Sequence, residues 1–267
     1  LDQSNNTWTQ KSAFPGTARA EAVGFAIGTY GYIGTGSNGS TTEKDFWRYD
    51  SGGDSWSQIT DFGGTARQAA VAFVLNGKAY VGTGTDGTYK NDIWRYDPST
   101  GWTQMNNFGG AARNAAMAFV IGSRGYLGLG WDGSHKKDFW EYDPGSDQWT
   151  QQTDFPGTAR YSAVGFGMGS KGYVGTGSDN TAKKDFYEFT PTITKNAQQP
   201  FRTQSHVTVF PNPAKETLTV DFGKYASAVK EVSLLNCMGQ AVYTTGKAMP
   251  ARLQIHTGGI DNGIYFL

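Results

Sequence analysis

Residues 67–104 read RQAAVAFVLNGKAYVGTGTDGTYKNDIWRYDPSTGWTQ, and this stretch decides the fold. Arg67 to Leu75 is a run of small and apolar residues, and Asn76-Gly77 behind it is a hairpin signal. Lys78 to Gly84 reads as a second short strand, and residues 85–91 as a longer polar loop. Asp92 to Asp97 alternates apolar and polar side chains at the two-residue period of a strand. Pro98 to Gly101 is another turn, and Trp102-Thr103-Gln104 opens a fourth strand. No stretch carries an apolar stripe of helical period and length. The unit is a four-stranded antiparallel meander, which is the form of one propeller blade.

The unit occurs four times in register. Arg19, Arg67, Arg113 and Arg160 are 48, 46 and 47 residues apart, and Trp8, Trp56, Trp102 and Trp149 repeat those intervals. So do Tyr32, Tyr80, Tyr126 and Tyr173. A period in this range, with strands only, marks a propeller. The last unit ends at Asp185 to Pro191 without its Trp-Thr-Gln strand, while the chain opens on a spare one, Trp8-Thr9-Gln10. We therefore expect the N-terminal strand to complete the fourth blade, closing the ring and covering an exposed edge. The alternative is that two chains share one larger ring.

The recurring pattern is Arg, apolar strand, turn, Gly-Tyr-Val/Ile-Gly-x-Gly, loop, Lys/Asn-Asp-Phe/Ile-Trp-x-Tyr-Asp, then Trp-Thr-Gln. It resembles the kelch repeat, most closely the secreted bacterial kind related to the propeller of galactose oxidase. The resemblance covers residues 1–191. One departure is Gly-x-Gly (Gly34/Gly36, Gly82/Gly84, Gly128/Gly130, Gly175/Gly177) where kelch proteins usually show adjacent glycines.

Residues 192–205 (TITKNAQQPFRTQS) are polar and read as a linker. Short alternating strands with Pro, Asn and Gly between them then suggest a small β-sandwich over residues 206–267. Phe210-Pro211-Asn212-Pro213-Ala214, the Asn236 to Val242 hairpin and the Asn262-Gly263-Ile264-Tyr265-Phe266 ending carry a second resemblance. They are similar to the C-terminal sorting domain of the type IX secretion system of Bacteroidetes. That resemblance implies export to the outer cell surface or medium, with the secretion machinery as a partner. The family usually continues to a basic final strand, which is missing here. The expected fold class is thus all-β: a four-bladed kelch-type propeller closed by its N-terminal strand, plus a C-terminal β-sandwich.

Composition narrows the function. The 267 residues are 37% hydrophobic and 14% aromatic, enough for a sizeable core, and 37 glycines suit many tight turns. With 23 acidic and 23 basic residues the chain lacks the excess of positive charge of a general nucleic-acid binder. No apolar run approaches a membrane span, and no signal peptide opens the sequence, so a mature protein is expected. Cys237 stands alone, and His135, His206 and His256 are scattered, so neither a disulfide nor a metal motif is expected.

Several tempting motifs fail on context. Gly34-Gly36-Gly39, Gly82-Gly84-Gly87 and Gly128-Gly130-Gly133 match GxGxxG, but each runs into a strand where a dinucleotide site needs a helix. Copper-radical chemistry of the galactose oxidase kind needs a Tyr crosslinked to Cys and His ligands, which the propeller lacks. Sialidase boxes are absent. No cofactor and no enzymatic activity are expected, although carboxylates could support a polysaccharide-active enzyme. Asp45, Asp92, Asp138 and Asp185 recur so strictly that pairing with the repeat arginines or turn capping is the favoured role. The arginines Arg19, Arg67, Arg113 and Arg160 have two readings. The kelch resemblance implies that they can line the axial opening and bind acidic ligands; their identical spacing favours a structural lock.

Departures from the repeat guide the search for a ligand site. Trp131 stands where the other units have Ser37, Thr85 and Ser178. In a four-stranded meander the loop after the second strand and the lead-in to the next blade emerge on one face. Trp131 with Asp132 and His135, beside Tyr89 and Asn38 in matching loops, could stack on a sugar ring or anchor a protein. Equally, Trp131 could fold back on its own blade. The sequence reading is a secreted or surface-displayed binding module for a glycan or surface protein, or else a structural subunit of a surface assembly.

Overall fold

The computed structural model describes residues 7–191, 208–210, 217–222, 227, 232–236, 241–245, 250–257 and 265–266. The proposed linker, the Pro211 to Ala214 turn and Cys237 lie outside the described residues. The chain divides into two compact units, Leu1–Thr192 and Ile193–Leu267. No described helix is long and apolar enough to cross a membrane.

The first unit is a four-blade β-propeller. Blade one comprises β1 (Val23–Ile27), β2 (Tyr30–Gly34), β3 (Phe46–Asp50) and β4 (Ser55–Ile59). Blade two comprises β5 (Val71–Leu75), β6 (Lys78–Gly82), β7 (Ile93–Asp97) and β8 (Gly101–Met105). Blade three comprises β9 (Met117–Ile121), β10 (Arg124–Gly128), β11 (Phe139–Asp143) and β12 (Gln148–Gln152). Blade four has three strands, β13 (Val164–Met168), β14 (Lys171–Gly175) and β15 (Phe186–Phe189). Every blade is an antiparallel meander in chain order. The inner strands β1, β5, β9 and β13 lie side by side in sequence order.

The blades stack by inserting one aromatic face into the next. Val71, Phe73, Leu75, Tyr80 and Ile93 of blade two pack on Phe108, Leu127 and Tyr142 at blade three, with Ala116, Ala118, Val120 and Trp149 at the margin. Small residues on one face and large ones on the other give this close fit its direction. Backbone bonds reinforce it: the Gly36, Gly84 and Gly130 N–H groups donate to Arg67, Arg113 and Arg160 carbonyls of the next blade, each at 2.8 Å. Gly84 shows why glycine is needed. Its φ is +92°, and a Cβ there would sit 2.8 Å from the Gln68 carbonyl oxygen. The Gly-x-Gly motif is therefore a blade-joining turn.

Two expectations change. The strand expected over residues 67–75 begins only at Val71, because Ala69 takes a left-handed φ of 52° and turns its peptide toward the neighbouring blade. The N-terminal latch is not formed. Residues 8–10 carry no strand, Trp8 is 88% exposed, and β15 is an edge of its sheet among the described residues. The segment that follows is seated on blade one as a between-blade segment, but the face of blade four that blade one would cover stays exposed, so the arm is not brought to β15. The Ser12 N–H donates to Asp54 Oδ1 at 3.0 Å, the Trp56 Nε1–H donates to the Ser12 carbonyl at 3.0 Å, and Phe14 packs edge-on against Trp47 and Trp56. At the far end of the blade series Val164, Phe166, Met168 and Phe186 are exposed. The fourth junction is open.

The second unit holds β16 (Thr208–Phe210), β17 (Thr217–Asp221), β18 (Val232–Asn236), β19 (Ala241–Thr245), β20 (Arg252–His256) and β21 (Tyr265–Phe266). They form two three-stranded sheets, ordered β16-β17-β20 and β19-β18-β21. Leu218, Val220 and Ile255 from one sheet share a cluster with Val232 and Leu234 from the other.

Candidate functional site

Each repeat arginine is clamped. Arg67 donates from Nη1 to Asp92 Oδ1 at 2.6 Å and from Nη2 to Asp92 Oδ2 at 2.8 Å. Its remaining N–H groups reach the Thr65 carbonyl, the Thr65 hydroxyl and the Thr83 carbonyl. The Trp94 Nε1–H donates to the same carboxylate at 2.8 Å, and Phe62 lies under the guanidinium at 4.9 Å. The set recurs as Arg19–Asp45–Trp47–Phe14 and Arg113–Asp138–Trp140–Phe108. Blade four repeats it as Arg160–Asp185 over Phe155. Arg67, Arg113 and Arg160 are at most 1% exposed. These arginines hold their blades together. They do not line an opening where an acidic ligand could reach them, which corrects that expectation.

The four carboxylates are equally committed. Burial opposes ionisation of Asp45, Asp92 and Asp138, but the Arg and Trp donors outweigh it and hold each below the usual range. For Asp185 the Arg160 hydrogen bond is the leading cause of the same direction.

The loops after the second strands have locks of their own. Asp132 accepts from Ser134 and pairs with Lys136 at 2.7 Å, as Asp86 does with Lys90 and Asp179 with Lys183. Burial works against the Asp132 carboxylate, yet Lys136 and Ser134 hold its pKa low. In the first loop Asn38 spends its amide on Thr41 and Glu43. Tyr89 pairs its backbone with Thr85 and stays exposed. Asn38, Tyr89 and Asp132 thus shape loops and are not brought together.

Trp131 is different. It pairs with Asn114 through two backbone hydrogen bonds of 2.9 Å, and its ring is half-buried. His135 meets it edge-on at 4.7 Å and stacks on Tyr161 of the next blade at 5.6 Å and 15°. His135 Nε2 is buried with no hydrogen-bond partner. Trp131 packs one edge on its own loop, and it also borders a cavity of about 330 Å³. That cavity sits where the inner strands begin. Trp131, Tyr161, Gln68, Asn114, Glu21 and Asn180 line it.

Its floor is backbone. The Ala69 N–H donates to the Glu21 carbonyl, Ala115 to Ala69 and Ser162 to Ala115, at 3.1, 3.0 and 2.8 Å. All four residues have φ between 47° and 55°, which turns successive peptides from blade to blade. Sequence reasoning missed Tyr161, Asn114 and Gln68. The signal was there: with Ala20 they form the column directly after each repeat arginine, and its residue type changes in every blade.

Residues 208–267 match the family described as the secretion system C-terminal sorting domain. No curated protein matches the chain. Among solved structures, one titled "Structure of YjhT" is similar at a TM-score of 0.59 and 17% identity, over 69% of this chain and 71% of that one. That likeness supports the propeller fold. The C-terminal match shows a type IX secretion sorting domain, which engages that secretion machinery and places the protein outside the cell or on its outer surface.

Proposed function

We propose that the propeller is a secreted binding module that holds a glycan at the Trp131–Tyr161 cavity. The observation that carries this is the lining itself. Two aromatic residues, Trp131 and Tyr161, line a cavity of about 330 Å³ together with the amide residues Gln68, Asn114 and Asn180 and with Glu21. Rings offer a stacking surface to the apolar face of a sugar, and amides fix hydroxyl directions. The volume falls within the range of small-ligand pockets, roughly 300–1,000 Å³.

Binding is favoured over hydrolysis because glycoside cleavage needs two carboxyl groups about the scissile bond. Glu21 is the one carboxylate in the lining, and the recurring aspartates are bound to arginine. The test is a glycan and polysaccharide screen with the full chain beside Trp131→Ala and Tyr161→Ala. Binding that both substitutions abolish, with unfolding unchanged, supports the reading. A broad panel with no binder would sink it and leave a surface protein as ligand.

A further inference from the structure

Blade four contains an empty socket for an indole. In blade two Trp102 lies 5.0 Å from each of Phe46, Phe62 and Tyr96. In blade three Trp149 lies 5.1 Å from Phe108 and 4.8 Å from Tyr142. The equivalent positions at the next junction are Phe139 of blade three, and Phe155 and Phe189 of blade four. They line a cavity of about 220 Å³ beside the edge of β15, which is unpaired among the described residues. What is missing is a strand carrying tryptophan.

The chain carries such a strand at its other end. Trp8-Thr9-Gln10 repeats the Trp102-Thr103-Gln104 sequence, and Trp8 is 88% exposed. Residues 12–14 are already seated on blade one as a between-blade segment. The Trp56 Nε1–H bond to the Ser12 carbonyl matches the Trp102 Nε1–H bond to the Thr60 carbonyl, which leads into blade two. The arm thus projects from blade one, while the socket belongs to the open end of the series.

We propose that a second copy of this chain fills the socket. Its residues 8–10 add to β15 as the fourth strand of blade four, and its blade one then stacks on the exposed Val164, Phe166 and Phe186. The junction is the one the chain builds three times internally, so its register is fixed. Tyr142 faces Trp149 and Glu141 faces Thr150 in blade three. Phe189 therefore faces Trp8 of the second copy, and Glu188 faces its Thr9. By the same repeat, Gly177 N–H reaches the Arg19 carbonyl of the second copy. Strand addition to a free edge supplies backbone bonds, and the pocket for tryptophan supplies specificity. Reciprocal exchange at both ends gives a closed, two-fold dimer.

The test is the mass of the full chain in solution, by light scattering and sedimentation over a wide concentration range. The expected species is twice the 28.9 kDa monomer. Trp8→Ala and Phe186→Asp, on opposite sides of the contact, should each return it to monomer while far-ultraviolet circular dichroism stays unchanged. A mixture of Thr9→Cys and Glu188→Cys chains, each with Cys237→Ser, should form a disulfide-linked pair of the two different chains. A monomer at every concentration would overturn the proposal, whether Trp8 fills its own socket or stays exposed. Association that survives both substitutions would overturn it as well.

Discussion

Arg113 meets Asp138 edge to edge, Nη1 to Oδ1 at 2.6 Å and Nη2 to Oδ2 at 2.7 Å, across 25 residues of chain. The pair joins the lead-in to the inner strand β9 to the residue just before the third strand, β11, in the same blade. Asp138 also accepts from Trp140, so one carboxylate fixes an arginine and an indole together.

Removing one member of that pair leaves a buried charge without compensation. Arg113→Met and Asp138→Ala should each destabilise the propeller by about 3–5 kcal/mol. The double substitution should cost less than the sum of the two, because the pair acts as a unit. Urea unfolding of the three variants checks this.

The same clamps set a pH dependence. Asp45, Asp92, Asp138 and Asp185 all have folded pKa values below the ordinary one, so folding stabilises their ionised form. That contribution is fully present above the unfolded aspartate value of about 3.9 and is lost as pH falls through the folded values. The urea midpoint should therefore be flat near neutrality and fall below about pH 4. A flat profile down to pH 2 would contradict the clamps.

Gly84 is held at a φ of +92° with the Gln68 carbonyl where a side chain would go. Gly84→Ala should cost about 1–3 kcal/mol from backbone conformation alone, and more from the collision. Ala115 offers the opposite case: a left-handed φ of 47° in a residue with a Cβ. Ala115→Gly should relieve about 1–2 kcal/mol of strain against roughly 0.5–1 kcal/mol of added unfolded-chain freedom. A small rise in thermal midpoint is the expected reading.

Deleting residues 208–267 should stop delivery to the cell surface in a host with type IX secretion. The propeller should still unfold cooperatively at the full chain's midpoint, since it is a compact unit of its own. Surface labelling and calorimetry read the two outcomes separately.

The blades were legible because each repeats the same turn signals and the same two-residue alternation. The left-handed step at Ala69 was not, since alanine in an apolar run gives no local sign of a turn; only the next blade's backbone makes it favourable. The arginine clamps were foreseeable from Arg67 and Asp92 keeping a near-constant separation in all four units. The cavity was half legible. Trp131 stood out as a break in register, whereas Tyr161 and Asn114 belong to different blades, and nothing local says that they converge. The latch failed for a related reason: Trp8 has the right neighbours in sequence and Ser12 and Phe14 seat the segment behind it on blade one, but nothing local says that blade one meets blade four.

The rim of the cavity has a consequence for how this surface can change over generations. Glu21, Ala69, Ala115 and Ser162 are joined through peptide groups, so their side chains carry none of those bonds. Gln68, Asn114 and Tyr161 likewise pair through main-chain contacts with Thr85, Trp131 and Ser178. The side chains at Gln68, Asn114 and Tyr161 can therefore be exchanged without touching the bonds that join the blades, whereas the left-handed φ at Glu21, Ala69, Ala115 and Ser162 keeps β-branched residues out of those four places.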